Sequence, residues 1–332
     1  MKVLIVGLGS IACRHIKNLK ALNKNLCIAA WRQHSKEPIP KELKNTVEQV
    51  FFSRDDAIKW KPDVTFITNP ATMHIQAASI FLKQDSHLFI EKPLSVNLDG
   101  IEKLSNECKR RKRLTMVGYV LRFSEPLQII KKIIEQGRIG RVLSIKATVG
   151  QNLLNWRTDK RYQDSVSAQK KLGGGVLFEL SHELDYVGWL NGVISEIYAQ
   201  TTKVSDLEID TEDIAEICLK FRNGAIGNIH LDMIDHAANR SCRIVGTKGT
   251  LFWETEKGNR VCFYSARLKK WIELRKSSKL DINKMYKTEI KHFFDCIKTN
   301  KKPLISLEEA KRVIEIILAA KLSADKKRVV KL

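Results

Sequence analysis

The sequence predicts an α/β protein with an N-terminal doubly wound parallel sheet, followed by a C-terminal α+β domain with a large open, mostly antiparallel sheet. Three observations predict it. Residues 2–12 run from an apolar strand through a glycine turn into a helical pattern. Up to about residue 120, short apolar runs alternate with helical segments, the pattern of βαβ units. Beyond it, longer alternating runs are joined by short turns. The domains expected are therefore 1–120, which binds a dinucleotide, and 121–332, which binds substrate and carries oligomer contacts.

The first strand, 3–6, is the apolar run Val-Leu-Ile-Val, and it breaks on Gly7 and Gly9. With Ala12 these form a G-x-G-x-x-A fingerprint between a strand and a helix. Gly7 permits the tight turn, Gly9 leaves no side chain in the way of a pyrophosphate, and Ala12 lets the helix pack close to the strand. The phosphates then lie at a helix N-terminus, where free N–H groups and the macrodipole favour negative charge. Gly7, Gly9, Ser10 and Ile11 are the candidate contacts of this turn, which marks the first domain as Rossmann-type.

Four more strands follow at 26–31, 64–68, 87–90 and 114–117, with helices near 11–22, 55–59, 73–84 and 97–112. Asn97 is placed to cap the last of these. Pro126 opens a helical stretch that ends at Gly137. Alternating strands come next at 142–149, 194–202, 214–221, 225–232, 242–245, 250–253 and 261–265, and Asn223-Gly224 signals a hairpin. A helix over 172–190 and two more near 284–299 and 306–324 complete the reading.

Composition narrows the function. The 332 residues are 43% hydrophobic and 29% charged, ordinary values for a globular protein. No apolar run approaches the roughly 20 residues of a membrane span, and the N-terminus enters a strand directly, without a signal peptide's cleavage region. The 7 cysteines are scattered and include no C-x-x-C pair, so no metal cluster and no disulfide framework are expected, and reduced thiols fit a cytoplasmic location. Lys plus Arg number 58 against 37 Asp plus Glu, a net +21. That excess is spread along the chain without a groove-reading motif, so it reads as a lysine-rich surface suited to anionic ligands rather than to nucleic acid.

Four short stretches carry the chemistry. The second strand ends Ala-Ala-Trp-Arg, without the acid that holds a ribose 2′-hydroxyl. Arg32 is suited to a 2′-phosphate, which tilts the cofactor toward NADP over NAD. Thr68-Asn69-Pro70 ends the third strand, where Asn69 and Pro70 border a nicotinamide ribose and His74 opens the next helix. Glu91-Lys92-Pro93 ends the fourth. Beside a nicotinamide cation, Lys92 is pushed toward its neutral form and polarises or deprotonates a substrate hydroxyl, while Glu91 orients either Lys92 or the cofactor ribose. In the last stretch, Gly173, Gly174 and Gly175 open a helix and allow a ligand to approach closely. Glu179, His182 and Asp185 follow at intervals of three, on one helical face, with His182 suited to exchange a proton near neutral pH.

Together these stretches resemble the glucose–fructose oxidoreductase / inositol dehydrogenase / MocA family over nearly the whole chain. The order is G-x-G-x-x-A, T-N-P…H, E-K-P, G-Y-x-x-R-F at 118–123, then G-G-G…H-x-x-D. The resemblance implies a Rossmann domain and an open-sheet α/β domain, often buried in oligomers. It also implies hydride transfer at a ring hydroxyl or ketone of a sugar, sugar phosphate or nucleotide sugar. Lys92 and His182 become the catalytic pair, Gly7, Gly9, Asn69 and Glu91 the cofactor contacts, and Arg122 a substrate contact. The segment from Val149 to Gly175 looks like a branch of the family met near surface-polysaccharide and nonulosonate genes, in which Trp156, Arg157 and Tyr162 line the substrate pocket. Two departures stand out. Glu179 lies three residues before His182 where the family often has Asp at four, which leaves Asp185 as an alternative partner for the histidine. Val120 replaces the asparagine of G-Y-N-x-R-F. The implied partners are a small sugar or nucleotide-sugar substrate and a second copy of the chain, as a homodimer or homotetramer through the C-terminal sheet. The alternative is a dinucleotide-binding redox sensor without catalysis.

Overall fold

The computed structural model describes residues 1–32, 39–40, 43–156, 161–256, 258–276 and 281–332. By contact the chain divides into two units: Met1–Val120 with Ile282–Ile314, and Leu121–Asp281 with Glu315–Leu332.

The first unit holds β1 (Lys2–Val6), α1 (Ser10–Leu22), β2 (Cys27–Trp31), β3 (Gln49–Phe51) and α2 (Arg54–Lys59). After them come β4 (Val64–Ile67), α3 (His74–Leu82), β5 (His87–Glu91), α4 (Ile101–Arg111) and β6 (Thr115–Gly118). The six strands are parallel and ordered β3-β2-β1-β4-β5-β6, so the strand order reverses between β1 and β4. In α1 the buried positions Ala12, His15, Ile16 and Leu19 recur at helical spacing and set that face against the sheet. The helix Ile282–Thr299, labelled α8, groups with this unit by contact. The reason lies in its apolar stripe: Phe293 meets the stacked pair Phe66 and Phe89 edge-on.

The second unit holds α5 (Glu125–Glu135), β7 (Val142–Gly150), α6 (Val176–Glu179), α7 (His182–Asn191), β8 (Ile194–Thr202), β9 (Ile214–Phe221) and β10 (Ile226–Asp232). It continues with β11 (Asn239–Gly246), β12 (Gly249–Glu254), β13 (Arg260–Ser265), β14 (Lys270–Arg275), the later part of α9 (Leu307–Lys326) and β15 (Val330–Lys331). Its nine strands run β14-β13-β12-β11-β7-β10-β9-β8-β15 and are antiparallel except for the β7–β10 pair. Register places Ala199, Ile217, Ile229, Ala147, Cys242 and Trp253 in one buried row beneath the helices. The row on the other face is Tyr198, Cys218, Asn228, Lys146, Arg243 and Phe252, none of them fully buried. Asn223 and Gly224 form the expected hairpin between β9 and β10, with Gly224 at φ +85°.

Three local expectations are corrected. Asn97 does not cap α4: the helix starts at Ile101 after Gly100 in the left-handed region, and Asn97 Oδ1 instead accepts the Asp99 N–H at 3.1 Å. The short strands Gln49–Phe51 and Lys270–Arg275 add to the two sheets. The helix expected over 172–190 is two helices, α6 and α7, broken at Leu180, whose ψ of +26° leaves the helical region.

Candidate active site

In the first unit the predicted residues gather at the C-terminal ends of β1, β4 and β5, across the point where the strand order reverses, which is where ligands sit in such sheets. Gly7 holds φ +89°, and a Cβ there would stand 3.1 Å from the Asn69 amide nitrogen, so the glycine turn and the Asn69 turn are pressed together. Thr68 locks the same corner by donating from Oγ1 to the Val6 carbonyl at 2.8 Å. Gly9 caps α1 with extended backbone and no side-chain cap, and no acid occupies the first turn of the helix. A Cβ at Gly9 would meet nothing within 4 Å. Ser10 is exposed and Ile11 half-buried in that turn.

These features fit a dinucleotide. The helix N-terminus is open and unneutralised, as an anion site requires. Asn69 Oδ1 is buried and meets no hydrogen-bond partner among the described residues, an acceptor placed where a ligand donor would satisfy it. Pro70 follows at the start of a short 3₁₀ turn. Gly7, Gly9, Ser10, Ile11 and Asn69 would hold the cofactor.

His74 is the first residue of α3. Its Nδ1 lies 2.9 Å from the Pro93 carbonyl and Nε2 2.7 Å from the Asn69 carbonyl, so the ring spans the T-N-P and E-K-P turns. Burial pushes its pKa down, while the two carbonyls pull back toward the charged form. Glu91 is buried and takes the His15 Nε2–H on Oε1 at 2.5 Å, with Oε2 accepting the Lys92 backbone N–H at 3.1 Å. The Lys92–Pro93 peptide is cis, and the Lys92 side chain is half-buried. Arg32 stands at the end of β2, mostly buried, its N–H bonded to the Phe51 carbonyl at 2.9 Å.

In the second unit the glycine triplet has a reason that the sequence did not display. A Cβ at Gly174 would stand 2.3 Å from the Val166 carbonyl oxygen, and one at Gly175, at φ +101°, 2.5 Å from Glu212 Oε1. At these two positions the chain's own carbonyls and carboxylate leave no room for a Cβ. Because the helix breaks at Leu180, Glu179, His182 and Asp185 do not share one helical face. Glu179 accepts the Ser167 hydroxyl at 2.7 Å, and His182 opens α7, half-buried. Asp185 and Arg122 form a buried bidentate pair. The Trp156 indole N–H donates to the Gln151 carbonyl at 2.9 Å, and the Tyr162 hydroxyl accepts the Glu208 N–H at 3.1 Å. Arg157 lies outside the described residues.

Sequence reading missed three residues here: His15, Ser167 and Glu212. Only His15 left a trace, as a histidine on the apolar face of α1; the partners of all three lie 12 or more residues away in the chain.

Two family models match the chain. One describes an oxidoreductase family's NAD-binding Rossmann fold and covers residues 1–119; the other, that family's C-terminal alpha/beta domain, covers 131–332. Among curated proteins the chain is similar to the myo-inositol 2-dehydrogenase of Thermotoga maritima, at 24% identity over 100% of this chain and 98% of that protein. It is also similar to the scyllo-inositol 2-dehydrogenase (NAD(+)) of Bacillus subtilis, at 23% identity over 95% and 92%. Its fold matches that of the WlbA dehydrogenase from Bordetella pertussis, solved with NADH and UDP-GlcNAcA, with a TM-score of 0.85 at 22% identity, covering 100% of this chain and 98% of that one.

Proposed function

Since the chain belongs to the glucose–fructose oxidoreductase / inositol dehydrogenase / MocA oxidoreductase family through both of its domains, we propose that it interconverts a ring hydroxyl and ketone of a sugar, sugar phosphate or nucleotide sugar. The observation that carries this is the open, uncapped start of α1 beside the orphaned Asn69 Oδ1, a corner of the sheet built for a dinucleotide. The nicotinamide, when bound, accepts or returns the hydride. His182 and Lys92 are the groups offered for the hydroxyl proton, to be taken in the oxidative direction and returned in the reductive one.

Nucleotide sugars of surface-glycan synthesis are the favoured substrates; the stretch from Val149 to Gly175 and the fold shared with the WlbA dehydrogenase support this. NADP is favoured over NAD because Arg32 stands where an acid would otherwise meet the ribose. The reading includes a cytoplasmic homodimer or homotetramer, its subunits joined through the uncovered sheet face that carries Tyr198 and Phe252. Among the described residues no helix is long and apolar enough to cross a membrane.

The test is a panel of inositols, sugar phosphates and nucleotide sugars, followed by nicotinamide absorbance. Lys92→Ala and His182→Ala should each lower turnover about 100-fold or more, the range of general acid–base catalysis, while NADPH affinity by fluorescence stays within a factor of a few. Nicotinamide binding without turnover on any member of the panel would favour the sensor instead.

A further inference from the structure

His15 is wholly buried on α1, within two turns of the cofactor glycines. Phe66, Phe89 and Tyr286 wall its ring at centroid distances of 5.3, 5.2 and 5.6 Å. Phe66 comes from β4, Phe89 from β5 and Tyr286 from α8, so the enclosure draws on three elements of one unit. Nδ1 is buried in it without a hydrogen-bond partner among the described residues. The polar outlet is Nε2, whose N–H donates to Glu91 Oε1 at 2.5 Å; a carboxylate oxygen only accepts, so the proton of this bond sits on the ring.

Glu91 passes the constraint on. Its second oxygen accepts the backbone N–H of Lys92, bending the carboxylate over the first peptide of the E-K-P turn. Gly118 on β6 leaves the room this needs: a Cβ there would crowd the Phe89 ring at 3.2 Å and the Glu91 carboxyl carbon at 3.4 Å. The chain of contacts thus runs from α1, which begins at the cofactor turn, through His15 and Glu91 to the amide of Lys92.

We propose that His15 is a positioning residue for Lys92: its hydrogen bond to Glu91 ties the phosphate-binding helix to the lysine-bearing turn, so that the two are set as one piece. The inference rests on the reading of Lys92 as a proton-handling group. A group misplaced by about 1 Å can cost about 100-fold in rate, so a bond that fixes this turn acts on catalysis without touching substrate.

The test uses a matched pair. His15→Gln and His15→Met are both unbranched and of similar length, and only glutamine offers an N–H donor to Glu91. The lysines are dimethylated with ¹³C-formaldehyde and the Lys92 resonance is assigned by its loss in Lys92→Arg, all in the presence of NADH. His15→Gln should keep the position and linewidth of the wild-type Lys92 line. His15→Met should shift it or broaden it at least twofold. Equal effects of the two variants would reduce His15 to packing, and no effect of His15→Met would remove the tie; either result overturns the proposal. Should His15→Met fail to fold, His15→Leu replaces it as the donor-free member of the pair, with the same expectation and the same overturning results. The readout needs no turnover, so a protein inert on every sugar would sink the proposed function and leave this inference standing.

Discussion

Arg122 and Asp185 hold each other face to face inside the second unit. Arg122 Nε meets Asp185 Oδ2 at 2.9 Å and Nη2 meets Oδ1 at 2.7 Å, with side-chain exposures of 4% and 1%. The guanidinium also lies over the Trp189 ring, 5.5 Å from its centroid. Breaking a buried pair strands one charge without water, at about 3–5 kcal/mol. Arg122→Met should therefore lower unfolding stability by about that amount, measured by urea denaturation. The double variant Arg122→Met/Asp185→Leu should recover most of it, because an apolar pair of similar volume often replaces a buried ion pair at little cost. A single variant as stable as wild type would show that the pair is not the anchor described.

Gly9 and Gly175 are glycines for opposite reasons. At Gly9 the backbone is extended and a Cβ would meet open space; at Gly175 φ is +101° and a Cβ would enter the Glu212 carboxylate. Gly9→Ala should leave the thermal midpoint within about 2 °C of wild type, since nothing is strained, yet weaken NADPH binding about tenfold, since the methyl stands in the pyrophosphate's approach. Gly175→Ala should cost about 2 kcal/mol or more of stability from backbone strain and the clash. Fluorescence titration and melting curves on the same preparations separate the two. If Gly9→Ala bound cofactor as wild type does, the phosphates would lie elsewhere.

That contrast marks where sequence reading succeeds and where it stops. The β1–α1 turn was legible because its strand, glycines and helix are neighbours in the chain, and each residue type has a local cause. The 173–175 triplet looked similar, but its cause is Glu212, some 37 residues beyond Gly175 (212 − 175), and the carbonyls of the 3₁₀ turn at Val166–Ala168. The break at Leu180 was invisible for a related reason: Leu177, Leu180, Leu184 and Val187 keep a helical period across it, and all are buried. β3 escaped notice because three residues carry too little alternation to read. His15 showed only as a polar residue on an apolar stripe; its meaning depends on Glu91, 76 residues away.

Arg32 gives the cofactor preference a direct test. It follows β2 without an acid at the strand end, so on the proposed reading an added 2′-phosphate would meet a guanidinium rather than a carboxylate. NADPH should bind about tenfold more tightly than NADH, and Arg32→Ala should remove that margin by weakening NADPH alone. A preference for NADH that persists in Arg32→Ala would show that the arginine does not read the phosphate.

His230 should make stability fall as pH rises. On β10 its Nδ1 lies 2.5 Å from Glu216 Oε1 and its Nε2 2.9 Å from Asp232 Oδ2. The bond to Asp232, with Glu216 adding to it, raises its pKa to about 9 against the opposing effect of burial. The unfolded chain loses this proton near pH 6.5 and the folded chain keeps it to about 9, so the contribution is whole below the first value and is lost on rising through the second. Asp232 is buried, but the imidazole and Glu216 are partly solvated, which screens the interaction to about 1–2 kcal/mol across that window. Buried thiols such as Cys242, pushed up by desolvation, add their own decline at the alkaline end. The quantity to follow is therefore the wild-type stability minus that of His230→Gln, from urea midpoints between pH 6 and 9.5. It should shrink steadily as pH rises; a flat difference would mean that the imidazole is not charged between these carboxylates.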